Sequence, residues 1–357
     1  MSSQLVNVDI SKAGQEESYP VVTRNGYLSS HRLQTLPILI LNVHERCNCR
    51  CLMCDIWKRE SSSELNMEEF ARHRTSIINL GVRQVVLTGG EPLMHSNLTA
   101  ICSFLRECGV KITLLSTGLL LKKHAALVAS WIDEIIVSLD GPEEVHDCVR
   151  RVRSGFQLIR DGVLAVRQLK PKIPISGRST VQKANHALLR QTVLAAHSLG
   201  LDSISFLASD VTSQAFNREL VWPGERQGEI ALSADEVAAL EAEIDLLIHD
   251  CSDDLASKFI VESPEKLHRI ARHFRAHLGQ LPFVAPRCNA PWVSAVVEVD
   301  GTVRPCFFHQ ANGSIKDATL EETLNSGEAQ SFRSTLNIAD NPICKRCVCS
   351  LNYTDVK

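Results

Sequence analysis

From Ile38 onward the chain alternates short apolar runs with longer segments of helical periodicity, and that alternation admits few folds. Six runs read as strands: Ile38 to Val43, Gln84 to Leu87, Lys111 to Leu115, Glu134 to Leu139, Ile173 to Val181 and Ser203 to Leu207. Amphipathic stretches separate them, among them Met67 to Leu80, Asn97 to Cys108 and Ala187 to Leu199. This order predicts repeated βαβ units on a parallel sheet, with right-handed crossovers that bring the loops after the strands to one edge. Six units are too few to close an eight-stranded barrel, so the expected fold class is α/β, a partial (β/α)6 TIM-like barrel with a lateral mouth.

The loops gathered at that edge carry the chemistry. The first holds four of the thirteen cysteines within eight residues, Cys47-Asn48-Cys49-Arg50-Cys51-Leu52-Met53-Cys54. Cys47, Cys51 and Cys54 are spaced Cys-x3-Cys-x2-Cys, which offers three thiolates to a metal centre and leaves a fourth coordination position open. Such a triad fits three irons of a [4Fe-4S] cube; with Cys49 or His44 as fourth ligand it also fits structural zinc. Thr88-Gly89-Gly90-Glu91-Pro92, Ser116-Thr117-Gly118 and Ser138-Leu139-Asp140-Gly141 follow later strands and are expected to converge on the same edge. The odd and clustered cysteine count favours metal ligation over a disulfide framework.

Charge and hydropathy narrow the setting. Lys and Arg number 38 against 41 Asp and Glu, a net charge of −3, so no basic field calls for nucleic acid or an anionic membrane. No apolar stretch approaches the roughly 18 to 20 residues of a membrane helix, and the first 30 residues lack a signal-peptide core. The expected setting is the cytoplasm. Beyond Asp210 the strand-helix rhythm stops; Ala234 to Ile248 and Pro264 to Leu278 read as helices bridging two domains, and from Arg287 a compact tail begins with a hairpin around Asp300-Gly301. The expected divisions are an N-terminal segment over 1–35, a core over 36–210, a helical linker and candidate substrate region over 211–284, and a small domain over 285–357.

With Met53 before the last cysteine and Gly89-Gly90-Glu91-Pro92 ending the second strand, the cysteine motif resembles that of the radical S-adenosylmethionine (SAM) superfamily. The resemblance implies a [4Fe-4S] cluster on Cys47, Cys51 and Cys54 whose free iron binds the amino and carboxylate groups of SAM. It implies that Gly89, Gly90, Glu91 and Pro92 form the strand end that meets the SAM amino group, and that Ser138 and Arg150 contact ribose and carboxylate. Reductive cleavage would then give methionine and a 5′-deoxyadenosyl radical that abstracts a substrate hydrogen, with an electron donor such as flavodoxin or ferredoxin. No residue is assigned to catalysis beyond these groups, and His146 stays unassigned.

The tail carries Cys288, Cys306, Cys344, Cys347 and Cys349 in a spacing similar to the SPASM and twitch extensions of the same superfamily. That likeness implies one auxiliary [4Fe-4S] cluster on Cys288, Cys306, Cys344 and Cys347, with Cys349 as an alternative to Cys347; a zinc ribbon is the competing reading of the spacing. Five cysteines cannot fully ligate two cubes. Cys49, Cys102, Cys108, Cys148 and Cys251 read as buried apolar thiols. The short segment before the first strand tilts the expected substrate toward a small molecule over a ribosomal peptide, and an auxiliary cluster would suit a net oxidation. Asp210, Arg218 and Trp222 are candidates to face substrate, with a solvated loop as the plainer reading. A non-catalytic iron-sulfur protein for electron transfer or redox sensing is the rival from another class.

Overall fold

A computed structural model of the protein describes residues 31–215 and 220–354. The six expected strands form β1 (Ile38–His44), β2 (Gln84–Gly89), β3 (Lys111–Ser116), β4 (Glu134–Ser138), β5 (Ile175–Val181) and β6 (Ser203–Ala208). All five neighbouring pairs are parallel and follow the chain order. Period-2 alternation divides each strand between two layers. On β1, Leu39, Leu41 and Val43 join the core beneath the helices, whereas Asn42 and His44 face the inside of the barrel and line its cavity.

The tail does not form a separate sheet. Its β7 (Ser294–Val297) pairs parallel to β1, Ile38 opposite Ser294 and Leu41 opposite Val297. The antiparallel β8 (Thr302–Arg304) and β9 (Gly313–Ser314) continue outward, giving a nine-stranded sheet in the order β6-β5-β4-β3-β2-β1-β7-β8-β9. The expected hairpin is present: Gly301 turns the chain at φ 88° and donates its amide to the Glu298 carbonyl. The sheet ends at β6 and β9 without closing, as six units require.

One helical expectation is modified by a tertiary contact. The stretch expected as one helix over Met67 to Leu80 is two, Met67–Ala71 and Arg74–Asn79. At the break, the His73 ring accepts the Leu320 amide from the tail at 3.2 Å, an anchor that a continuous helix would misplace. The linker helices Ala234–Asp250 and Pro264–His277 are capped by Ser233 and Ser263. They pack on one another, and the second also lies on β6. Arg269 on that helix donates to the Cys347 carbonyl at 3.1 Å, so the helix touches both β6 and the tail. Near the start of the described chain, Leu33 exchanges two hydrogen bonds with Asn325, and the buried Arg333 donates to the His31 carbonyl. Among the described residues no helix is long and apolar enough to cross a membrane.

Candidate active site

The cysteine loop leaves β1 and is pinned on two sides. On one, Gly90 donates to the His44 carbonyl at 2.7 Å and Glu91 to the Arg46 carbonyl at 2.8 Å. A Cβ on Gly90 would stand 2.0 Å from the Arg46 oxygen, and one on Gly89, at φ 122°, 2.6 Å from the His44 oxygen. The paired glycines are therefore required by the close approach of the cysteine loop itself. On the other side, the amides of Arg50 and Leu52 donate to the carbonyls of Arg150 and Val149 at 3.1 and 3.0 Å. Those carbonyls end the helix Glu143–Arg150, so its C-terminus grips the loop on both flanks of Cys51.

Cys47, Cys51 and Cys54 open into one cavity of about 560 Å³ together with Gly89, Gly90 and Ser138. Glu91 is fully buried and turned away from it. Its carboxylate accepts from the Leu93 amide, the Ser116 hydroxyl, and the amide and hydroxyl of Thr117 at 2.6–3.1 Å. Burial raises its pKa against these bonds. Thr117 also meets Asn48 of the cysteine loop at 2.9 Å, so Glu91 braces the loop after β3 against the loop after β1. Pro92 is buried beside it and starts a short 3-10 turn.

The thiols are not equivalent. Cys51 is drawn down by the neighbouring Cys49 thiol and by the Arg150 charge, against its burial. Burial and the neighbouring Cys51 push Cys54 up to about 12, and the Ile56 amide donates to its sulfur at 3.4 Å. Cys49 is buried, and the neighbouring Cys47 and Cys51 thiols together with burial raise it. Among the described residues no three His, Cys, Asp or Glu side chains converge as they do around a single metal ion. Thiolates on a cube attach to separate irons and stand farther apart, so an open triad beside a cavity fits a cluster with one accessible iron.

The tail thiols form a second group. Cys288 and Cys306 lie close enough to raise Cys344, which burial pushes up to about 12, and both act likewise on Cys347 and Cys349. Cys306 is itself raised by burial. The His309 ring meets the Cys344 sulfur at 3.3 Å. Cys349 is on the surface as a residue, yet it lines the same cavity as the first cysteine loop. Sequence spacing gave that position no such place. Of the thiols expected to be buried, Cys49 and Cys102 are; Cys108 and Cys251 are half-buried, and Cys148 is exposed because the helix Glu143–Arg150 turns it to solvent.

Asp210 reaches the cavity wall, where it accepts from the Thr212 amide and the Ser213 hydroxyl. Trp222 is buried instead, its indole donating to Asp55 at 2.7 Å. Arg218 lies outside the described residues. One group that no motif marked joins the wall. Arg178 on β5, directly opposite Ser138 in register, enters the cavity with its Nε 3.4 Å from the Ser205 hydroxyl. The wholly buried Asp140 holds Arg150, Nε to Oδ2 2.6 Å.

An open parallel barrel whose first strand leads into three clustered thiols at a cavity, with a second thiol group on a sheet extension, fits the iron-sulfur reading of the sequence. The profile of the Radical SAM superfamily matches residues 41–181, and that of SPASM, an iron-sulfur cluster-binding domain, matches residues 288–348. The chain belongs to the radical SAM superfamily and carries a C-terminal SPASM domain. It is 28% identical to the Fe-coproporphyrin III synthase of Methanosarcina barkeri over 44% of this chain and 41% of that protein. The chain spans about two fifths or less of the length of the first curated relatives it matches. Against the PqqA peptide cyclase of Ruegeria pomeroyi the identity is 25% over 87% of this chain and 79% of the relative. In structure it resembles SuiB of Streptococcus suis bound to its precursor peptide SuiA, with TM-score 0.64 at 14% identity, covering 91% of this chain and 74% of SuiB.

Proposed function

We propose that the protein is a radical SAM enzyme that modifies a peptide, with SAM cleaved at a cluster on Cys47, Cys51 and Cys54. The observation that carries this reading is a cavity lined both by that loop and by Cys349 of the tail group. When bound, the cluster and SAM supply a 5′-deoxyadenosyl radical that abstracts hydrogen. The chain's own residues do the positioning. The backbone of Gly89 and Gly90 presents the strand end to the SAM amino group, Ser138 takes the ribose, and Arg150 offers a guanidinium to the carboxylate. Cys288, Cys306, Cys344 and Cys347 would hold one auxiliary cluster, which would supply an electron acceptor.

A peptide is favoured over the small molecule that the short N-terminal segment suggested, because the relative matched along most of its length acts on a peptide and SuiB is seen with one. The open side of the barrel would admit a chain laterally. A small metabolite is the second reading; the cavity volume falls within the range of small-molecule sites, roughly 300–1,000 Å³. The test is anaerobic reconstitution, reduction with dithionite and incubation with SAM, followed by mass spectrometry. Formation of 5′-deoxyadenosine is expected, with mass loss or cross-linking in a supplied precursor peptide. Absence of 5′-deoxyadenosine from iron-loaded protein overturns the enzyme reading in favour of a non-catalytic iron-sulfur protein.

A further inference from the structure

Cys51 is set apart from its two partner cysteines by what surrounds it. It is buried, the amides on either side of it are tied to the end of the helix Glu143–Arg150, and the last residue of that helix turns its guanidinium back onto the sulfur. Arg150 Nη1 donates to Cys51 Sγ at 3.5 Å. The sulfur of Cys54 receives a backbone amide instead.

Arg150 is itself held. Its Nε lies 2.6 Å from Asp140 Oδ2, in a pair whose members are almost wholly buried. Asp140 is fixed from three directions: its Oδ1 accepts the Thr180 amide at 2.9 Å, its carbonyl accepts Asn185 Nδ2 at 2.9 Å, and its amide donates to His146 Nδ1 at 3.3 Å. Such a pair does not swing. It places one positive and one negative charge at fixed distances from one sulfur, in surroundings that screen charge poorly.

The geometry points to Asp140 and Arg150 as a charge pair that sets the reduction potential of the cluster held by the Cys47–Cys54 loop, acting through Cys51. The inference rests on the reading of that loop as a cluster site and adds a role that the SAM-contacting function of Arg150 does not contain. On reduction the cluster gains one electron and no bond is made or broken, so its negative charge grows by one. A guanidinium hydrogen-bonded to a ligating sulfur stabilises the reduced state more than the oxidised one and raises the potential. Asp140 opposes this by neutralising part of the Arg150 charge, and so is a positioning residue with an electrostatic effect of its own. The pair would keep the centre reducible by a physiological donor while leaving it a strong enough reductant for a sulfonium.

The test is a potentiometric titration of the reconstituted full-length protein without SAM, followed by electron paramagnetic resonance. The signal of the first cluster is assigned by its loss in Cys47→Ala, and the tail cluster serves as an internal reference that should not move. Arg150→Gln is expected to lower the potential and Asp140→Asn to raise it, each by a roughly tenfold change in the reduction equilibrium, about 59 mV for one electron. Arg150→Lys keeps the charge and should fall between Arg150→Gln and the parent. A pair that only supports the fold would reduce cluster loading and leave the loaded fraction at the parental potential, which overturns the proposal. So do shifts of the same sign in Arg150→Gln and Asp140→Asn. If Arg150→Gln loads no iron, the direction of the Asp140→Asn shift decides. If Cys47→Ala removes no signal, the cluster reading of the loop fails with it, an outcome distinct from unchanged potentials at an assigned cluster.

Discussion

The two cysteine groups are built by opposite means. Cys47, Cys51 and Cys54 come from one loop of eight residues, locked by backbone bonds to the loop after β2 and to the end of one helix. The tail group gathers Cys288 from before β7, Cys306 from after β8, and Cys344 to Cys349 from the last described segment. Its frame depends on distant partners: Arg269 holds the Cys347 carbonyl, and the Asn289 side chain pairs with the backbone of Tyr353. A site made of contiguous residues is specified by local geometry, whereas one assembled from separate segments exists only when the whole domain has folded.

The sharpest way to break this comparison is to remove thiols from each group. Alanine at Cys47, Cys51 or Cys54 is expected to abolish SAM cleavage, a loss of more than about 10³-fold, because the group that carries the chemistry is gone. Serine at Cys306 or Cys344 is expected to remove one cluster's iron and to stop substrate turnover. SAM cleavage should stay within about tenfold of the parent, since the tail thiols are not part of the Cys47–Cys54 loop. Iron analysis and 5′-deoxyadenosine quantitation measure both. Equal losses of cleavage from the two groups would make them one functional unit.

A smaller effect tests the backbone lock. Gly90→Ala pushes a methyl group to 2.0 Å from the Arg46 oxygen, and the loop has to shift. A loss of about 2–4 kcal/mol in urea unfolding is expected, together with poor loading of the first cluster alone. Gly228, with open space around its added Cβ, should tolerate alanine within about 0.5 kcal/mol.

The smallest effect concerns the frame on the β6 side. Burial pushes the Glu262 carboxyl up to about 7, although it accepts the Phe206 amide at 2.9 Å. The folded state thus holds this proton more tightly than the unfolded chain, whose carboxyl titrates at 4.5. Its stabilising contribution is complete below about pH 4.5 and is lost as pH rises through about 7. Glu262→Gln should flatten this dependence and gain about 1–3 kcal/mol at pH 8, read as a higher Tm there and little change at pH 5.

Much of the barrel was legible in the sequence because short apolar or alternating runs, ended by glycine or polar residues, recur between stretches of helical period. The first cysteine group was legible for a similar reason: spacing along the chain stands in for spacing in space when a loop is short. What escaped reading is non-local. The break at His73 depends on Leu320, a partner 247 residues away. Arg150 could be singled out by its neighbours in sequence, but its attachment to Cys51 and Asp140 needs the helix end to fold back onto the loop. The pairing of β7 with β1 left no trace in either segment, since a parallel partner requires only a compatible apolar face.

That pairing makes the SPASM segment something other than a detachable cap. A protein cut near residue 285 would leave the strand Ile-Leu-Ile-Leu, which leads into the first cysteine loop, with one row of amides and carbonyls unmatched along a greasy margin. Such a truncated core would be sticky before it was inactive, associating flank to flank with its own kind. Grafting experiments that exchange the tail between relatives should therefore move β7 together with the strand it shields.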